Sequence, residues 1–91
     1  MKARAHVLVS GRVQGVFFRS KTKDKADSLD LTGGVRNLPD GKVEAVFEGE
    51  EESVKTIVDF CRHGPRETEV TNVELTWENH TGEFTHFEVK Y

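Results

Sequence analysis

The stretch GGVRNLPDGKVEAVFEG, Gly33 to Gly49, decides how this chain folds. In its centre, Asn-Leu-Pro-Asp-Gly (residues 37–41) is turn chemistry: Pro39 fixes φ, and the Asp40-Gly41 pair suits positive φ. On one side, Leu31 to Arg36 reads as a short strand. On the other, Val43, Ala45 and Phe47 alternate with Glu44, Val46 and Glu48, a period of two that predicts a second strand. The stretch is therefore a β-hairpin.

Outward from the hairpin the period changes on both sides. From Arg19 to about Asp30 it is helical, with Phe18, Thr22, Ala26 and Leu29 on one side and lysines and aspartates opposite. In GEEESVKTIVDFCRHGP (residues 49–65), Val54, Ile57, Val58 and Cys61 fall at i, i+3, i+4 and i+7. Three glutamates open this second helix, where the dipole favours anions, and Arg62-His63 precede the stop at Gly64-Pro65. Farther out, Ala5, Val7 and Val9 read as a strand with apolar residues on both faces. Val73, Leu75 and Trp77 form another, and Phe87, Val89 and Tyr91 a last one. The order is β-α-β-β-α-β with an extra C-terminal strand. It predicts an α+β, ferredoxin-like sandwich: an antiparallel sheet with two helices on one face. Such a fold hosts many functions and names none.

The totals narrow the choice. The 91 residues fit one domain, 1–91, large enough to need no metal or disulfide as a staple. A net charge of −3 argues against a nucleic-acid partner, which requires a basic face to displace counterions. A local basic pocket stays open, and Arg12, Arg19, Lys21, Lys23 and Lys25 cluster in one stretch. Cys61 is the single cysteine; on the apolar helix face it reads as a small core residue rather than a nucleophile. His6, His63, His80 and His86 lack ligand spacing, so no metal is expected. Neither a secretory signal nor a membrane-length apolar run is visible, which predicts a cytoplasmic protein, read here as a monomer without a membrane partner. Asn79-His-Thr81 matches a glycosylation acceptor by chance.

Chemistry concentrates in GRVQGVFFRS (residues 11–20), at the junction of the first strand and first helix. Successive backbone N–H groups in a glycine-containing turn converge into a concave nest of donors. A helix starting near Arg19 would add its own unbonded N–H groups and the positive end of its dipole. Arg19 would stand at the rim with a planar fork for two phosphate oxygens, while Val16 and Phe18 anchor the loop in the core. The plainer alternative is a connecting turn with an incidental arginine. Asn37 lies at a strand end that a β-α-β-β unit can bring beside this loop.

Together, Gly11-Arg12-Val13-Gln14-Gly15-Val16 with Phe18-Arg19, and Gly33, Val35, Arg36, Asn37, Gly41, Val43 and Gly49, make the chain resemble the acylphosphatase family from about Arg4 to Tyr91. The resemblance implies metal- and cofactor-free hydrolysis of the carboxyl-phosphate bond of acyl phosphates, giving a carboxylate and inorganic phosphate. It implies that Arg19 binds the phosphate and that Asn37 orients the attacking water, through either its carbonyl oxygen or its amide. The backbone N–H groups of Gly15, Val16, Phe17, Phe18 and Arg19 would cradle the phosphate, and inorganic phosphate, as product, should inhibit. Arg36, one residue from Asn37 on the same strand, should point away. No side-chain base is evident, which leaves a substrate oxygen to take the water's proton.

Three positions depart from the family pattern. Gly34 stands where an aromatic residue is usual, which predicts a looser strand. Asp30 stands where a glycine often ends the first helix; at positive φ it would cost roughly 1 kcal/mol against glycine. Phe17 replaces a frequent glycine, but only its N–H is required. Two other classes compete. One is a non-catalytic RNA-binding module, which wants exposed aromatics on a basic sheet. The other is the similar N-terminal domain of a carbamoyl-transfer enzyme, against which the 91-residue span with its own Met1 speaks.

Overall fold

The computed structural model describes residues 1–15 and 17–90. Its elements are β1 (Lys2–Arg12), α1 (Phe18–Ser28), β2 (Thr32–Asn37), β3 (Val43–Glu50), α2 (Glu51–His63), β4 (Glu69–Glu78) and β5 (Phe87–Lys90). The five strands form one sheet in the order β4-β1-β3-β2-β5. Every expected element is present, and β4 starts four residues earlier than its apolar alternation suggests, because Gly11 and Arg12 of β1 still pair with Val70 and Glu69. Val16 and Tyr91, both expected to contribute, lie outside the described residues.

The sheet is mixed rather than wholly antiparallel. β1 pairs antiparallel with β3 and β4, and β2 with β3, but β5 runs parallel to β2. Direction explains this. The segment after β4 reverses the chain and carries it to the opposite edge, where β2 already runs opposite to β4. The C-terminal strand therefore lands alongside β2 in the same sense.

The hairpin register follows the alternation in the sequence. Gly33, Val35 and Asn37 stand opposite Phe47, Ala45 and Val43, and this set faces the helices. Ala5, Val7, Val9, Val43, Ala45 and Phe47 meet Val54, Ile57, Val58 and Cys61 of α2 and Phe18 and Ala26 of α1 in one core. Phe47 stacks on Phe87 with ring centroids 5.4 Å apart, which ties the last strand to the hairpin. Cys61 is buried there, and burial pushes its thiol up to about 12, leaving it inert as a nucleophile.

The other sheet face carries a polar clamp. Glu48 is 1% exposed and accepts hydrogen bonds from Arg4 Nη1 (2.9 Å), the Thr81 N–H (3.0 Å) and hydroxyl (3.0 Å), and the Gly82 N–H (3.0 Å). Burial alone would raise this carboxyl. The bonds from Thr81, Arg4 and Gly82 outweigh it and hold the group at about 2. Arg4 also bonds Glu78 and Glu83 and stacks over Phe84, so the segment joining β4 to β5 is strapped across this face. Beside the strap, a cavity of about 260 Å³ opens at Gly34, walled in part by Arg36, Glu44, Phe84 and Lys90. A Cβ at position 34 would come within 3.3 Å of the Glu88 carbonyl and of the Lys90 side chain.

Candidate active site

A bulge turns β1 into the loop. The β1–β4 register shifts between Ser10 and Gly11, where φ is 123° and a Cβ would collide with the Glu69 carbonyl. The chain then dips inward at Val13, which is buried, and rises through Gly15 at φ 72°. Phe17 is also left-handed, at φ 62° and ψ 21°, and is the residue that caps α1. Val13 and Phe18, each 1% exposed, pin the loop on either side.

The start of α1 is chemically open. Phe17 makes no side-chain capping bond, and the first turn contains no acidic residue. The first helical bond runs from the Lys21 N–H to the Phe17 carbonyl (3.0 Å), so the N–H groups of Phe18, Arg19 and Ser20 precede the intrahelical ladder. A helix end left this way offers donors and partial positive charge to an anion.

That helix end opens into a cavity of about 300 Å³ lined by Val13, Gly15, Phe17, Phe18, Arg19, Ser20 and Asn37. The two motifs, separated in sequence, therefore meet in one hollow. Within it, the Oδ1 of Asn37 is buried and has no hydrogen-bond partner among the described residues. A buried carbonyl oxygen left unsatisfied costs about 1–3 kcal/mol, so this one calls for a polar partner. Arg19 stands at the rim, half-buried, and its Nη1 donates to the Lys90 carbonyl at 3.0 Å, which orients the guanidinium from the end of β5.

The remaining basic residues of the cluster do not reach the hollow; Lys23, for example, pairs with Asp27 at 2.6 Å. Arg36 points to the opposite face, as its parity requires, and donates to Glu44 at 2.6 Å. The other oxygen of Glu44 meets His6 at 2.8 Å, and the bonds from His6 and then Arg36 hold Glu44 below the usual carboxylate range. Among the described residues, no group of three His, Cys, Asp or Glu side chains is placed to hold a metal ion. No helix among them is long and apolar enough to cross a membrane. Phe47 lies in the core, so it offers no stacking platform for RNA bases.

Three contributors escaped the sequence reading. Val13 and Ser20 line the hollow, and parity along the loop could have suggested the first. The Lys90 carbonyl is 71 residues from Arg19, and no local pattern announces such a contact. Gln14 bonds the β2–β3 turn instead of lining the hollow.

The fold and site define an α+β protein of ferredoxin-like topology with an anion-receptive loop opposite an unsatisfied amide. The acylphosphatase family model matches residues 5–89. An acylphosphatase of Pelotomaculum thermopropionicum is 52% identical over 90 residues, covering 99% of this chain and 98% of that protein. Among solved structures, the acylphosphatase of Bacillus subtilis superposes with a TM-score of 0.93 at 33% identity, over 100% of both chains. That of Coxiella burnetii superposes with a TM-score of 0.91 at 39% identity, over 98% of this chain and 93% of that one. The chain belongs to the acylphosphatase family and is an enzyme of acyl phosphate hydrolysis.

Proposed function

We propose that this enzyme hydrolyses acyl phosphates without a metal, by in-line attack of a water held by Asn37 on a phosphoryl group held by Arg19 and the loop. The observation that carries the reading is the buried, unpartnered Oδ1 of Asn37 in the same hollow as Arg19 and the open end of α1. In this scheme the N–H groups of Gly15, Val16, Phe17, Phe18 and Arg19 surround the phosphoryl oxygens. The Arg19 fork adds two charge-assisted bonds.

Asn37 Oδ1 accepts one hydrogen of the water and aims its lone pair at phosphorus. A phosphorus–oxygen bond forms to the water, and the bond to the acyl oxygen breaks with its electron pair leaving on the carboxylate. A carboxylate is a good leaving group, so no strong general acid is required. The water's proton passes to a phosphoryl oxygen of the substrate. Donors fixed around those oxygens stabilise the charge as it shifts toward the leaving group. The same reading makes inorganic phosphate a competitive inhibitor and takes the enzyme as cytoplasmic.

Hydrolysis of benzoyl phosphate in the presence of a chelator tests this directly. The expected result is full turnover, inhibited competitively by inorganic phosphate. Turnover abolished by the chelator and restored by a divalent cation would sink the metal-free scheme.

A further inference from the structure

Gln14 lies between buried Val13 and Gly15, yet its side chain does not line the hollow. Its Nε2 donates to two backbone carbonyls of the β2–β3 turn, Leu38 O at 2.8 Å and Lys42 O at 2.9 Å. These two carbonyls close the turn themselves: the Leu38 N–H bonds Lys42 O at 2.8 Å, and the Gly41 N–H bonds Leu38 O at 3.1 Å. The amide is thus seated across the neck of the turn, and Leu38 is the residue directly after Asn37.

The sheet cannot supply this connection. Pairing between β1 and β3 ends at Val9 opposite Val43, before the loop begins. Among the described residues, the two bonds from Gln14 are the hydrogen bonds that join the loop to the turn. They are partly buried, and they use both hydrogens of one neutral amide. A carboxylate has no hydrogen to give two carbonyls, and an ammonium would bring a charge into this partly buried bridge.

We infer that Gln14 is a positioning residue that fixes Asn37 against the phosphate-binding loop, and that it governs kcat rather than phosphate affinity. This rests on the proposed role of Asn37. The donors that would hold phosphate belong to the loop and α1, on one side of the Gln14 bridge. The oxygen that would aim the water belongs to the turn side. Loosening the bridge leaves the cradle intact and misaligns the attacking water, and a misplacement of about 1 Å can cost on the order of a hundredfold in rate.

Two variants test it in the full-length enzyme with benzoyl phosphate. Gln14→Met keeps the length and removes both donors, and Gln14→Glu keeps the shape and reverses the polarity. At pH 7.5 both should lose at least tenfold in kcat, with the phosphate inhibition constant within twofold of the parent. As the pH falls toward 5, Gln14→Glu should recover relative to Gln14→Met, because a protonated carboxyl regains one donor. In two-dimensional NMR without ligand, the Asn37 side-chain amide should shift in Gln14→Met while core signals stay in place. Three outcomes would overturn the inference: kcat near the parent's value, phosphate affinity falling in step with kcat, or parallel pH profiles for the two variants. Asn37→Ala serves as the control. If it keeps full activity, the role of Asn37 fails and Gln14's with it. If it loses activity while the Gln14 variants do not, only the inference about Gln14 fails.

Discussion

The two helices of this protein begin in opposite ways. α2 follows Glu50 and has Glu51 and Glu52 in its first turn, so its positive end is met by the protein's own carboxylates. Glu50 is itself held by the N-terminal ammonium at 3.0 Å and by Lys2 at 3.4 Å. Neither helix has a side-chain cap, but α1 has no acid in its first turn and starts from a left-handed phenylalanine. One helix end meets its own carboxylates and gives its Glu51 N–H to the Met1 carbonyl at 2.9 Å. The other is left for a negative charge that must come from outside. The sheet anchors both, so the difference lies in the few residues around each helix start.

Removing what α1 offers to that charge should have the largest effect. Arg19→Lys keeps the cation and loses the planar fork, so kcat/KM for benzoyl phosphate should fall by roughly a hundredfold. Circular dichroism matching the parent would confine the loss to the site; turnover near the parent's level would make Arg19 a structural residue.

Making α1 begin like α2 is the next test. Ser20 lies in the first turn and lines the hollow. Ser20→Glu should weaken phosphate inhibition by at least tenfold, since the new carboxylate opposes the ligand's charge at close range. It should also stabilise the helix by about 0.5 kcal/mol. Activity down and melting temperature up is the signature; unchanged phosphate affinity would mean that the open helix end is not where the anion sits.

Smaller effects should follow from backbone strain. Phe17 is 73% exposed with φ 62°, and Asp30 sits at φ 56°. Glycine at either position should raise stability by roughly 1 kcal/mol, read by thermal melting. No gain at position 17 would show that its aromatic ring repays the strain through contacts of its own.

Least of all should change on the α2 side. Glu52→Gln should cost about 0.5 kcal/mol or less and leave kcat untouched. A marked loss of activity there would dissolve the contrast between the two helix ends.

Much of this contrast is legible in the amino-acid sequence itself. Periods of 2 and 3.6 located the hairpin and both helices, because burial on one face imposes them directly. The strain at Asp30 follows from the family resemblance, in which a glycine often ends the first helix, and Asp30 does take φ 56°. What escaped was long-range. The segment leading to the parallel β5 is strapped down by Glu48, and nothing around a glutamate in an alternating strand says that it will accept bonds from Thr81 and Gly82. Candidate site residues could be named, but their joint use of one hollow is tertiary. Gln14 shows this best: its partners are carbonyls, which carry no side-chain signature.

The bond from Arg19 to the Lys90 carbonyl has a consequence for how the enzyme is made. The loop and the start of α1 leave the ribosome early, whereas β5 is the last element of the sheet to be synthesised. Until β5 docks beside β2, the guanidinium lacks the carbonyl that orients it. On stalled ribosomes, turnover should appear only once β5 has cleared the exit tunnel. Hydrolysis would then report the completion of the fold, since the start of α1 is bonded to the last strand.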